Sequence, residues 1–311
     1  MANLRVQIGS LTLANPVLVA AGTFGYGLEF ARAVRLDRLG GLVTKTLTRS
    51  PRDGNPPPRL VETPSGMLNA VGLQNVGLDV FLREKLPALR AIRVPLVVSV
   101  LGESTTDVTE MGRQLDRADG VAAIELNLSC PNIKRQATGN KPQELMVAQN
   151  PDETFAVVSA AREATKKPLI VKLSPDVTDL APIAQAAERA GADALSLVNT
   201  FRGMSLDPST RRSKLGTVTG GLSGPAIRPL AVYRVWYTAQ IVRLPIIGLG
   251  GIVRAEDALE FFLAGATAVA VGTANFGNPR TPLRVLQGLE RYLQVQRLSS
   301  LKELQGKFVC P

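Results

Sequence analysis

Six consecutive residues, Asn127-Leu128-Ser129-Cys130-Pro131-Asn132, hold one thiol, two carboxamides and one hydroxyl. The apolar run that leads into them suits a buried strand, and Pro131, which has no N–H to give a ladder, ends it. A thiol at a strand exit between two amides can act as a nucleophile, a redox disulfide partner or a general base; an inert core cysteine is the plain alternative. The chain has no histidine, so imidazole acid–base chemistry and histidine metal sites are excluded. The only other cysteine is Cys310, near the C-terminus, which argues against a disulfide and rules out the four thiolates of an iron–sulfur cluster. No metal site is expected. A base role for Cys130 is chemically attractive because a thiol titrates close to working pH.

Further polar or glycine residues stand at the ends of short apolar runs: Gly22, Lys45, Ser99, Lys172, Asn199, Gly250-Gly251 and Gly272-Thr273. The runs themselves are Pro16–Ala20, Gly41–Lys45, Leu96–Val100, Ala123–Asn127, Leu169–Leu173, Ala194–Asn199, Ile246–Gly248 and Ala268–Gly272. Between them, Leu28–Leu39, Pro151–Ala164, Asp179–Ala190, Pro225–Val242, Ala255–Ala264 and Pro282–Gln294 carry apolar residues at helical spacing. Apolar strands alternating with helices predict a parallel sheet, and eight such units predict a (β/α)8 TIM barrel. A doubly wound sheet is the runner-up, but no Gly-x-Gly-x-x-Gly follows the first strand. Leu4–Ile8 and Leu11–Leu13, around Gly9-Ser10, predict an N-terminal β-hairpin. Three long segments, Leu47–Leu78, Pro131–Asn150 and Phe201–Gly224, follow strands and so belong to the C-terminal, active face of such a barrel. The whole chain, residues 1–311, is read as a single barrel domain.

In a barrel these strand ends converge on one pocket. The glycine turns after strands seven and eight, Gly248–Ile252 and Gly272–Ala274, have the small residues and following helices that suit a phosphate. A phosphate there, with lysines across the mouth, fits FMN lying over the barrel, its reduced ring anionic and met by a lysine. The amides of Asn69, Asn127, Asn132 and Asn199 both donate and accept, which suits a flat substrate with imide or urea edges, and Lys45 could meet its negative charge. With a flavin in place, a thiol that removes a carbon-bound proton would desaturate a C–C bond. Two other readings use the same barrel: a Schiff-base aldolase with Lys172 or Lys45 as the amine, and a binding protein without turnover.

The remaining composition sets boundaries. The chain is 45% hydrophobic and 20% charged, ordinary for a soluble globular protein, and no apolar run would span a bilayer. The N-terminal residues lack a signal peptide's layout, so a cytoplasmic protein is expected. The net charge of +10 comes from scattered lysines and arginines rather than one basic run, which argues against nucleic acid.

Asn127–Asn132 closely resembles the active-loop motif of class 1 dihydroorotate dehydrogenases. Gly54–Arg59, Gly66–Asn75, Gly220–Ile227 and Gly250–Ile252 are similar to other motifs of that family, and the likeness runs from about Leu4 to Leu293. The resemblance implies FMN-dependent oxidation of (S)-dihydroorotate to orotate in pyrimidine synthesis, Cys130 taking the C5 proton while flavin N5 accepts the hydride. It implies a substrate shell of Lys45, Asn69, Gly72, Leu73, Asn127, Asn132, Asn199 and Thr200. The implied FMN shell is Ala20, Gly22, Lys45, Thr46, Ser99, Asn127, Lys172, Val198, Gly224, Gly250, Gly251, Gly272 and Thr273, with Lys172 at the flavin N1/O2 edge. Ser99 stands where many 1B members have Asn. Thr23-Phe24-Gly25 and Ser65–Asn69 look more like the 1B, NAD-linked type than the fumarate-linked 1A type. The 1B type implies a homodimer joined by partner subunits, as a heterotetramer, with FAD and a 2Fe–2S cluster on the partner.

Overall fold

In the computed structural model, which describes residues 3–129 and 146–309, eight parallel strands close into a barrel. In chain order they are Val17–Val19, Gly41–Val43, Leu96–Val100, Ala123–Asn127, Leu169–Lys172, Ala194–Leu197, Ile246–Leu249 and Ala268–Val271, the eighth pairing with the first. The sequence closes this way because both strand faces are apolar. Ile124, Leu126, Val171, Leu195 and Val269 pack outward with helix residues such as Val158, Ile183 and Phe261. Their neighbours Ala123, Ile170, Ala194, Ala268 and Ala270 fill the interior. The predicted hairpin forms between Val6–Ile8 and Leu11–Leu13, and Ile8 and Leu13 join the interior cluster, so it plugs one end of the barrel.

Five of the expected helices form with small shifts at their ends: Pro151–Ala164, Ala181–Arg189, Arg228–Ala239, Ala255–Leu263 and Thr281–Val295. The sixth does not. Residues 28–39 make two short 3-10 turns, Leu28–Phe30 and Leu36–Arg38. The cause is that Val34 and Leu36 are both buried, and residues two apart lie on opposite sides of an α-helix. A helix absent from the reading, Thr105–Arg117, packs after strand three. Its start was legible: the Ser104 hydroxyl accepts from the Asp107 N–H at 3.1 Å, and Val108, Met111, Gly112 and Leu115 follow at helical spacing on the buried face.

Two of the long segments are not irregular. Leu60–Thr63 and Gly66–Asn69 form a hairpin inside the first, and Phe201–Gly203 and Gly220–Ser223 pair inside the second. Gly220–Ser223 then pairs with Gly66–Asn69, which gives one four-stranded antiparallel sheet over the active face. Leu68, Ala70 and Leu215 make its own small core.

Candidate active site

Strand exits and the added sheet enclose a cavity with about 1110 Å³ of empty space, its open mouth included. Strands one and eight contribute Ala20, Gly22, Gly272 and Thr273; strands two, four, five and six contribute Lys45, Thr46, Asn127, Lys172, Val198, Asn199 and Thr200. The loop after strand two adds Asn69, Gly72 and Leu73, and Gly224, Gly250 and Gly251 complete the wall. Cys130 and Asn132 lie outside the described residues. Of the expected residues within the described ones, Ser99 is set back from the cavity, fully buried behind Thr46.

Ser99 starts a hydrogen-bonded belt. Its hydroxyl lies 2.9 Å from Thr46 Oγ1, which accepts from Asn127 Nδ2 at 3.1 Å. Asn127 Oδ1 accepts from the Ser129 hydroxyl at 3.3 Å and from Asn199 Nδ2 at 3.4 Å. Asn199 Nδ2 also donates to the Ser129 carbonyl at 3.0 Å and lies 2.9 Å from its hydroxyl, while Asn199 Oδ1 accepts from the Thr200 N–H at 2.8 Å. The belt joins strands two, three, four and six. In this structure the Asn199 amide is therefore committed to protein partners, and a substrate gripped by it has to exchange with them.

Two lysines face the same space. Lys172, at the end of strand five, is only 5% exposed; among the described residues it forms no ion pair with a carboxylate, and a buried ammonium of that kind favours an anionic ligand. Burial pushes the Lys45 ammonium below its ordinary value; the Arg59 cation adds to this and Glu29 opposes it. The lowered value marks Lys45 as a cation short of negative charge.

The opposite wall is backbone. Gly250 and Gly251 have φ of 135° and 73°. At Gly272 neither conformation nor crowding demands glycine: a Cβ there would meet nothing nearer than Ala20 Cβ at 3.6 Å. At Gly22 a Cβ would meet nothing within 4 Å. The missing side chains leave room on the cavity side, a cradle in which backbone groups approach a bulky ligand closely. Among the described residues no group of histidine, cysteine or carboxylate side chains could hold a metal ion.

Several lining residues escaped the sequence reading. Leu60 and Met67 come from the unforeseen sheet, and Phe276, half exposed, stands at the mouth. Thr23 and Ser223 support the wall: Thr23 Oγ1 accepts from Asn275 Nδ2 at 3.1 Å, and Ser223 Oγ accepts from Thr273 Oγ1 at 2.8 Å. Leu60-Val61-Glu62-Thr63 does not alternate apolar and polar residues, so the sequence carries no period-two signal for the sheet.

The family model for dihydroorotate dehydrogenase matches residues 3–293. A protein of Geotalea uraniireducens is 49% identical over 307 residues, which covers 99% of this chain and 98% of that protein. Relatives from Trichlorobacter lovleyi and Desulforudis audaxviator are 50% and 52% identical over 303 and 301 residues, covering 97% of this chain and 97% and 96% of their own lengths. All three carry the name dihydroorotate dehydrogenase B (NAD(+)), catalytic subunit. With a match of this extent and identity, the chain belongs to the dihydroorotate dehydrogenase family.

Proposed function

We propose that this chain is the catalytic subunit of an NAD-linked dihydroorotate dehydrogenase and oxidises (S)-dihydroorotate to orotate in pyrimidine synthesis, with FMN over the barrel mouth. The observation that carries the reading is the meeting of two chemistries in one cavity: a glycine cradle at strands seven and eight, and lysines and amides at strands two to six. The donor set fits the cofactor. Backbone around Gly224, Gly250, Gly251, Gly272 and Thr273 would hold the phosphate, and Ala20, Gly22, Thr46 and Val198 would flank the ring. Lys172 would meet the ring's negative charge, and Ser99 would act through Thr46. Bound FMN would supply a two-electron hydride acceptor.

The protein's own residues supply the rest. Lys45 would neutralise the substrate carboxylate, and Asn69, Asn127, Asn132 and Asn199 would match donors and acceptors on the ring edges. Gly72, Leu73 and Thr200 would close the pocket around it. Cys130 would remove the C5 proton; this assignment rests on its type, its place after strand four and the family. The relatives' names as NAD-linked catalytic subunits support the 1B type over the fumarate-linked one, and support a partner subunit that bears FAD and a 2Fe–2S cluster. The assembly would be a homodimer with partners attached, a heterotetramer, in the cytoplasm.

The test is spectroscopic. The purified chain should show a flavin spectrum that bleaches when dihydroorotate is added without oxygen. It should then pass electrons to an artificial dye but reduce NAD only after the partner is added. A colourless protein that takes up no FMN, or that borohydride traps with a carbonyl substrate, would sink the reading.

A further inference from the structure

Asp257 is a carboxyl side chain only 1% exposed, outside the cavity, in the first turn of helix Ala255–Leu263. Buried there, it needs partners, and its partners belong to the cavity wall. Oδ2 accepts from the N–H of Val253 at 2.9 Å and of Arg254 at 3.0 Å. These residues follow directly on Gly250-Gly251-Ile252. Oδ1 accepts from the Arg228 guanidinium, and Arg228 opens helix Arg228–Ala239, just beyond Gly224. One carboxyl thus ties the turn after strand seven to the helix that follows strand six. The two are in close contact. A Cβ at Gly251 would lie 2.8 Å from Arg228 Cβ and 2.9 Å from the Gly224 carbonyl oxygen, and one at Gly250 would lie 2.7 Å from Ala231 Cβ.

We propose that Asp257 is a positioning residue that, through Val253, Arg254 and Arg228, sets the spacing between Gly224 and Gly250–Gly251 at which both backbones meet the cofactor phosphate. This rests on the flavin reading above. It differs from a plain helix cap, which would support the fold without favouring one ligand over another. It also runs against simple electrostatics. Removing a negative charge near a phosphate site should strengthen anion binding, so a weakened phosphate grip in its absence can come only from misplaced backbone.

The experiment compares FMN with riboflavin, which lacks the phosphate, by fluorescence titration of flavin-free protein. Wild type should prefer FMN. Asp257→Asn should lose FMN affinity by about tenfold, equivalent to ~1.4 kcal/mol, with riboflavin affinity nearly unchanged. Arg228→Lys is the second variant, because it keeps the positive charge near the phosphate site and the Asp257 bonds to Val253 and Arg254, and changes only the geometry of the tie. It should show the same selective loss in smaller measure, and serves alone if Asp257→Asn fails to fold. Equal weakening toward both flavins, or an unchanged or tighter FMN affinity, overturns the proposal while leaving the flavin reading intact. Wild type that binds neither flavin overturns both.

Discussion

On the side of strands seven and eight the cavity wall is backbone; on the side of strands two to six it is side chain. The first is set by contacts that cannot slide. Gly250 and Gly251 press on helix Arg228–Ala239, with no space for a Cβ at either position. The second is a belt of hydroxyls and amides from Ser99 through Thr46, Asn127 and Ser129 to Asn199, whose members bond to one another. A backbone wall cannot re-aim its groups without moving a packed helix, which suits a group that binds once and stays. A side-chain belt can exchange partners at the cost of a rotamer change, which suits a substrate that must enter, react and leave. The division predicts that changes on one side separate cofactor retention from turnover.

The largest effect should come from Cys130→Ala. Loss of a general base should lower turnover by about 10²–10⁴-fold, while flavin content stays at the wild-type level, because the cradle is built by the turns after strands six, seven and eight. Cys130→Ser should keep a fraction of the activity that rises with pH. Near-normal anaerobic flavin reduction in the alanine variant would refute the base assignment.

The backbone wall is broken by a matched pair. Gly250→Ala meets Ala231 Cβ at 2.7 Å and a φ of 135°, and should lose roughly 1–3 kcal/mol of stability. Gly272→Ala has its nearest neighbour at 3.6 Å. It should melt like wild type yet hold FMN about tenfold less tightly, ~1.4 kcal/mol, since its methyl narrows the cradle. Equal melting of the two variants would mean that the rigid-wall account is wrong.

Most of the barrel could be read from the chain, because two-face burial leaves apolar runs that only a parallel sheet explains. Helix Thr105–Arg117 is equally legible, from the Ser104 cap and the spacing of Val108, Met111 and Leu115. Residues 28–39 could not be read so easily. Their apolar spacing is helical from Leu28 onward, and only the need to bury both Val34 and Leu36 breaks it. The sheet over the active face depends on pairing between residues about 150 positions apart, Gly221 with Asn69 for instance, and such partners leave no local trace. The strand-end residues share one cavity, all but Ser99 lining it, because a barrel brings every strand exit to the same face. Ser99 sits one layer behind the mouth, and a strand-end position does not say whether a short side chain reaches the mouth or stops behind a neighbour such as Thr46.

Lys45→Met sharpens the comparison through pH. The ammonium is held below its ordinary value in the folded chain, chiefly by burial. Between that lowered value and the unfolded value of ~10.4 the unfolded chain binds more protons, so stability rises with pH across this window and the full cost falls below it. Without ligand, Lys45→Met should therefore melt higher than wild type near neutrality. Its advantage should fade as pH climbs toward the ordinary lysine range. With dihydroorotate the order should reverse, because the substrate carboxylate loses its cation. A melting advantage that grows with pH would contradict the sign of the shift.

The smallest effect tests whether the belt acts as one unit. Thr46→Val keeps the shape but leaves Ser99 Oγ and Asn127 Nδ2 each short of a partner, a loss of about 1 kcal/mol in melting experiments. Ser99→Ala should cost a similar amount alone. Because the two hydroxyls bond each other, the double variant should cost less than the sum, with a coupling of roughly 0.5–1 kcal/mol. In catalysis both single variants should raise KM for dihydroorotate more than they lower kcat, because they loosen Asn127 rather than touch the reacting atoms. Strict additivity would mean that Ser99 acts on strand three alone, and that the side-chain wall is a set of independent contacts instead of a belt.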